Sequence, residues 1–339
     1  MSVKNVLIEK EFIFEDERPF KSCHASTLLV LPNDDILSAW FGGTAEKNSD
    51  VAIWYSRRSA DSWGKPVKIA DEEGIAHWNP VLFQTEDKTI HLFYKVGHEI
   101  RDWQTRVITS KDNGYTWTSP RELVDGDIGG RGPVRSKPIQ LKDRTMIAPA
   151  SIERLDPKSD IGKQIWEAFV DISYDQGETW EKSEIIALSQ TDLQGEHKGK
   201  ARGVIQPTLW ETDENRIHML LRSTEGAIYR SDSDDKGKTW SKPYRTNLPN
   251  NNSGIDVVKV NDEGLLALVW NPVGADWGAR TPLVVSVSHD NGETWKEEIT
   301  LEHEKGEYSY PAIVSKDQNI YITYTWNRER IAFWRISLQ

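Results

Sequence analysis

The residues of this chain best equipped for chemistry recur at the edges of apolar stretches. His24, His77, Arg135, Gln206, Gly254 and Tyr308 follow one another at intervals of about fifty to seventy residues, each just ahead of a run that reads as a strand. Trp78, Asn79, Ser136, Lys137, Asn252, Ser253, Ser309 and Tyr310 stand beside them. The ends of the next strands add Tyr94, Lys95, Arg222, Asn271 and Trp326-Asn327-Arg328. If these positions share one end of the fold, His24, His77, Lys95, Arg135, Lys137 and Arg222 gather around one mouth, with Trp and Tyr faces between them. Guanidinium and ammonium groups bind carboxylate, sulfate or phosphate through charge-assisted hydrogen bonds, and aromatic faces can stack on sugar rings. The expected ligand is therefore an anionic oligosaccharide or glycoside, with Arg135, Arg222, Lys95, His77, Trp78, Gln206 and Tyr310 as its contacts.

Two interleaved repeats must position these residues. The first is a hairpin, an apolar strand and a short turn rich in Asp, Asn or Lys before another apolar strand. It reads STLLVLPNDDILSAWF from Ser26, PVLFQTEDKTIHLFY from Pro80 and PIQLKDRTMIAPA from Pro138. It returns as PTLWETDENRIHMLLR from Pro207, IDVVKVNDEGLLALVW from Ile255 and PAIVSKDQNIYITYTW from Pro311. The second repeat is the phrase S-x-D-x-G-x-T-W, with full copies starting at Ser110, Ser173, Ser233 and Ser288 and a shortened one at Ser59. Its Ser and Asp can bond nearby backbone N–H groups, its Gly is free to take positive φ, and its Trp re-enters apolar surroundings. That combination describes a stapled turn rather than a catalytic set.

Six hairpins, the first five each followed by two further strands around such a turn, predict an all-β chain: one six-bladed β-propeller domain over residues 1–339. The last blade lacks a strand at the C-terminus, and VLIEKEFIF from Val6 is expected to close it as the outer strand. Because strand direction alternates, the turn phrases lie on the face opposite the mouth.

Composition narrows the partners. The 15 Trp and 3 Met among 339 residues suit aromatic-anchored turns. With 42 Lys and Arg against 53 Asp and Glu, the net charge of −11 argues against nucleic acid. Cys23, the one cysteine, has no internal partner. The opening residues show no secretory leader, and no run of apolar residues is long enough to span a membrane, so the cytoplasm is the expected compartment. No histidine pair or acid-rich loop has metal-ligand spacing, and no glycine-rich nucleotide loop follows a strand; neither metal nor cofactor is expected.

The repeated phrase resembles the Asp-box, or BNR repeat, of sialidases and other sialidase-like propellers. That family binds the substrate carboxylate with three arginines and uses a Tyr nucleophile polarised by a Glu, with an Asp as acid and base. The resemblance implies Tyr308 as nucleophile, Arg222 and Arg280 as the second and third arginines, and Asp50 as acid and base. Two positions depart from the pattern: His24 stands where the first arginine belongs, and Gln206 where the Glu belongs.

Three functions follow. The first is an exo-acting, sialidase-like glycoside hydrolase on a terminal sialic or uronic acid, with Tyr308 and Asp50 performing the chemistry. The second is a lyase in which His24 and Tyr308 serve as base and acid for β-elimination from a uronate, with His77 able to replace His24. The third is a carbohydrate-binding propeller without catalysis. The basic loop Gly195 to Gly203, which leads into Gln206, is expected to overhang the mouth.

Overall fold

The structure, a computed structural model, describes residues 5–157, 162–189, 191–193, 201–213 and 215–338. Apart from a 3-10 turn at Ile100–Asp102, every helix or strand among the described residues is a strand. None of these residues forms a helix long and apolar enough to cross a membrane.

Meanders account for the pairing. Ser22–Val30, Ile36–Gly43, Ala52–Ser59 and Ser62–Trp63 form one sheet, with Val67–Ala70 also on Ala52–Ser59. His77–Gln84, Ile90–Val96, Gln104–Ser110 and Arg121–Glu122 form the next. An eight-stranded sheet then combines two meanders: Ile139–Gln140, Met146–Leu155, Gln164–Ser173 and Glu181–Lys182, then Ala201–Asp213, Arg216–Ser223, Ala227–Ser233 and Tyr244–Pro249. They join where Gln164, Ile165 and Trp166 pair in parallel with Ala201, Arg202 and Gly203. Asp256–Lys259, Leu266–Trp270, Leu283–Ser288 and Lys296–Glu302 follow. The last sheet holds Tyr308–Lys316, Asn319–Trp326 and Arg330–Leu338, with Asn5–Phe12 antiparallel to Arg330–Leu338 at its edge.

The first strand of each meander is the inner one. Ser22–Val30 packs against both His77–Gln84 and Tyr308–Lys316, and Asp256–Lys259 against both Ala201–Asp213 and Tyr308–Lys316. Apolar clusters fill the spaces between consecutive sheets. One of them sets Tyr321 and Phe333 of the last sheet against Leu28 and Trp40 of the first. Each such fully buried side chain contributes about 1.5–3 kcal/mol, so the sheets hold one another in place.

The turn phrases explain how neighbouring sheets are fastened at their outer end. In the copy at Ser110, the Ser110 hydroxyl accepts from the Gly114 N–H at 2.8 Å, and Asp112 accepts from the Thr116 N–H at 2.8 Å and the Thr116 hydroxyl at 2.6 Å. Asn113 and Gly114 both take left-handed φ, 60° and 82°, which is why Gly is needed there. The Trp117 indole donates to the Gly114 carbonyl and meets Tyr55 of the preceding sheet edge-on, with ring centroids 6.1 Å apart. Trp180 repeats this against Phe93, and Trp63 of the shortened phrase meets Phe333.

At the centre, one carboxylate links inner strands. Asp256, 1% exposed, accepts from the Lys137 ammonium at 3.1 Å, the Thr208 hydroxyl at 2.6 Å and the Ile313 N–H at 3.0 Å. Removing one partner of a buried ion pair leaves the other charge uncompensated. Asp256→Ala should lower unfolding free energy by about 3–5 kcal/mol in urea titrations. Adding Lys137→Met should recover part of that loss, and equal losses in the single and double variants would contradict this account.

Candidate functional site

The mouth is shaped by an irregularity that recurs in the inner strands. Ala25, Asn79, Gln206 and Tyr310 have φ of 56°, 40°, 52° and 52°, and at each the register shifts against the next strand. These are β-bulges, which re-aim a side chain and end regular pairing. Pro80, Pro207 and Pro311 follow three of them. Proline has no N–H to lose from the ladder and bars the residue before it from the right-handed helical region.

Asn79, Gln206 and Tyr310 open onto a cavity of about 370 Å³. Its cationic lining is Lys47, Arg101, Arg222, Arg280 and Arg328, and its acidic lining is Glu46, Glu99 and Glu153. Trp78, Trp103, Trp166 and Trp277 supply aromatic wall. Two of these arginines, Arg222 and Arg280, lie against Tyr310. Arg222 donates to the Tyr310 hydroxyl at 3.0 Å, to the Gln206 side-chain oxygen at 2.9 Å and to Asn252 at 2.8 Å. Its guanidinium also lies 5.4 Å from the Trp166 ring and 6.0 Å from that of Trp277. Arg280 sits 5.7 Å from the Tyr310 ring. One oxygen of Glu307 accepts from Arg280 at 2.8 Å and from Arg328 at 3.0 Å, and Arg328 also pairs with Glu46. Burial raises the Tyr310 pKa, but the Arg222 and Arg280 charges outweigh it and hold the phenol below its ordinary value of 10.0.

Five of the residues expected from sequence line this cavity: Trp78, Gln206, Arg222, Arg280 and Tyr310. Six others are absent from its described lining. Tyr308 pairs regularly with Trp326 ahead of the bulge, and its side chain is buried with Leu283, Ile322 and Tyr324. The bulge therefore presents Tyr310 to the cavity where the resemblance had implied Tyr308. Asp50 faces a separate hollow with Arg18, Lys21 and Lys68, where it accepts from the Thr44 N–H at 2.9 Å and closes its own loop.

His24 is sealed behind the wall, its ring 4.2 Å from that of Tyr310, and burial holds it neutral with a pKa well below 6.5. Arg135 lies under the Tyr310 ring at 5.4 Å and donates to the carbonyls of Ile255 and Pro311. Gly254 leaves room for it, since a Cβ there would fall 2.5 Å from the Arg135 Nε. His77 contacts the carbonyls of Val51 and Ile75 through Nδ1 and accepts from the Glu72 N–H through Nε2, pinning a connection between sheets. Lys95 is fully buried, donating to Thr105 at 2.7 Å and to the Arg131 carbonyl; burial lowers its pKa to about 7.

Sequence reasoning missed Glu46, Glu153, Trp166 and Trp277 altogether and did not single out Arg328 as a contact. Arg328 carried a signal, since it lies in the turn just after the Asn319–Trp326 strand, the second of its hairpin. Within the expected overhanging loop, residues 194–200 lie outside the described residues, and Arg202 pairs with Glu225 at 2.7 Å. No group of three or more His, Cys, Asp or Glu side chains among the described residues could hold a metal ion.

A sheet assembly stapled by Asp-boxes, with an arginine-lined cavity at the opposite mouth, belongs among the sialidase-like proteins. Residues 34–322 match the BNR repeat-like domain, and the chain belongs to that family. It is 25% identical to sialidase-2 of Cricetulus griseus over 186 residues, 49% of this chain and 46% of that protein, so it matches about half the length of that relative. Among solved structures it resembles a Dyadobacter fermentans protein of unknown function, with a TM-score of 0.75, 16% identity and 99% of both chains covered. The NanB sialidase of Streptococcus pneumoniae has a TM-score of 0.70 and 12% identity, covering 97% of this chain and 70% of that one. Trypanosoma rangeli sialidase has a TM-score of 0.70 and 15% identity, covering 94% and 55%. These likenesses establish the β-propeller fold of the sialidases.

The environment of Tyr310 can be read directly. Because its phenol is held below 10.0 in the folded chain, its phenolate forms at lower pH than an ordinary tyrosine. In spectrophotometric titration, wild type minus Tyr310→Phe should show tyrosinate absorbance rising below pH 10. Tyr308→Phe should keep that transition, because burial raises the Tyr308 pKa. Loss of the transition in Tyr308→Phe would reverse the assignment.

Proposed function

We propose that this protein is an exo-acting glycoside hydrolase of the sialidase type, acting on a terminal sugar that carries a carboxylate. Its frame on this reading is a six-bladed propeller, with the eight-stranded sheet counting as two blades. The observation that carries the reading is that Arg222, Arg280 and Arg328 line one cavity with Tyr310, whose hydroxyl accepts from Arg222. A fork of N–H donors matches a carboxylate, and Glu307 sets the direction of two of the three guanidiniums.

The missing first arginine has a replacement in this arrangement. The Arg328 carbonyl accepts from the Cys23 N–H at 2.9 Å, so its guanidinium enters the cavity beside the position that His24 occupies in sequence. Tyr310 is the nucleophile. Its bond from Arg222 favours the phenolate, and the Gln206 side chain acts in the same direction without accepting a proton. Hydrolysis is favoured over β-elimination because the imidazole proposed for elimination, His24, is sealed behind the Tyr310 ring, and neither of its ring nitrogens has a hydrogen-bond partner.

Product analysis with aryl and oligosaccharide α-sialosides and uronic-acid glycosides tests the reading. Free sialic or uronic acid is the expected product. Tyr310→Phe should lower kcat by at least about a thousandfold, by analogy with the loss of other covalent nucleophiles. A product with a new double bond, absorbing in the ultraviolet, or binding without turnover across the panel would overturn the proposal.

A further inference from the structure

The glycosidase reading leaves one role empty. A leaving group of ordinary basicity needs a proton as its bond breaks, and the Asp50 carboxylate faces another hollow. Three carboxylates line the cavity itself. Glu46 is committed to Arg328, whose guanidinium also bonds Glu307. Glu99 is exposed at the lip, just before the 3-10 turn. Glu153 differs from both: it is half-buried and forms no ion pair among the described residues.

Several features fix where Glu153 points. It is near the end of the Met146–Leu155 strand, paired with Trp166, whose ring lies 5.4 Å from the Arg222 guanidinium. The next residue, Arg154, grips Glu167 with two bonds of 2.7 and 2.8 Å and braces the hairpin. Lys47, on the loop that also carries Asp50, lies near enough to act on the charge of Glu153. Glu153 thus faces the loop from which the resemblance would bring the proton. Burial raises its pKa, and the opposing charges of Arg222 and Lys47 do not cancel that rise.

We propose that Glu153 is the general acid and base of the proposed hydrolysis, replacing the loop aspartate; this rests on the glycosidase reading above. In the first step the Tyr310 phenolate, its proton already released to solvent, forms a bond to the anomeric carbon. The glycosidic C–O bond breaks, its electron pair stays on the leaving oxygen, and that oxygen takes the Glu153 proton. In the second step water attacks the anomeric carbon, its proton passes to the Glu153 carboxylate, and the bond to Tyr310 breaks with its electron pair returning to the phenolate.

The test compares two glycosides of the same acidic sugar, one with an alkyl alcohol as leaving group and one with nitrophenol. Nitrophenolate leaves without a proton, so loss of the acid should separate the two substrates. Glu153→Gln should lower kcat/KM on the alkyl glycoside by about a hundredfold or more, and on the nitrophenyl glycoside by less than about tenfold. The fall in rate as pH rises through the pKa of the acid should vanish in Glu153→Gln and persist, at a lower rate, in Glu153→Asp. Asp50→Asn should keep the wild-type profile. Equal losses on both substrates, an unchanged pH profile in Glu153→Gln, or the leaving-group signature in Asp50→Asn would each overturn the assignment. If wild type is active and one of these results appears, only the Glu153 assignment fails. If wild type cleaves neither glycoside, the glycosidase reading fails and takes the assignment with it.

Discussion

A strand that must show one particular side chain to the mouth of a channel has to break its own pleat there. Strand residues alternate between faces, so neither the residue before the break nor the one after it can point along the channel axis. Here the break is a left-handed residue, and three of the four examples precede proline. Each such residue costs about 1 kcal/mol or more. The cost is met by the sheets packed on either side, whose apolar clusters leave the inner strands little room to relax. Without Tyr310 held in that conformation, the bond from Arg222 to its hydroxyl, the edge-on contact of His24 and the guanidinium of Arg135 beneath the ring would have no common target.

Much of the frame was legible from the chain alone, because its devices are local. A Ser, an Asp and a Gly at fixed offsets close a turn through their own backbone, so four copies mark four equivalent places. The mouth was legible as a region for the same reason, since strand starts can be counted from those turns. The choice between Tyr308 and Tyr310 was not. It depends on one inserted residue that moves a side chain from one face to another, and only the proline after Tyr310 hints at where the insertion falls. Glu153 was hidden for a different reason: it lies where the repeat is interrupted, and an interruption carries no register. His24, His77 and Lys95 misled because a polar residue at a strand start looks the same whether it faces a ligand or a backbone carbonyl.

The placement of charge resolves an apparent conflict. The chain is acidic as a whole, yet its inner mouth is basic. The interior cations are held by different means. Lys137 has a carboxylate in Asp256, Arg135 has two carbonyls and the Ser136 hydroxyl, and Lys95 has a hydroxyl and a carbonyl, with its proton affinity reduced by burial. Arg222, Arg280 and Arg328 keep open space in front of them. Local field at the cavity is thus set by a few oriented side chains, while net charge governs the outer surface.

The Asp256 cluster has a consequence for traffic through the ring. Arg135, Lys137, Asp256 and Thr208 cross the axis below Tyr310 and fasten inner strands to one another. On its far side is a second hollow, lined by Lys137, Val257 and Leu209, which shares no described lining residue with the first. The arginine-lined cavity is therefore a cul-de-sac. Anything that enters it from the mouth must leave by the same opening.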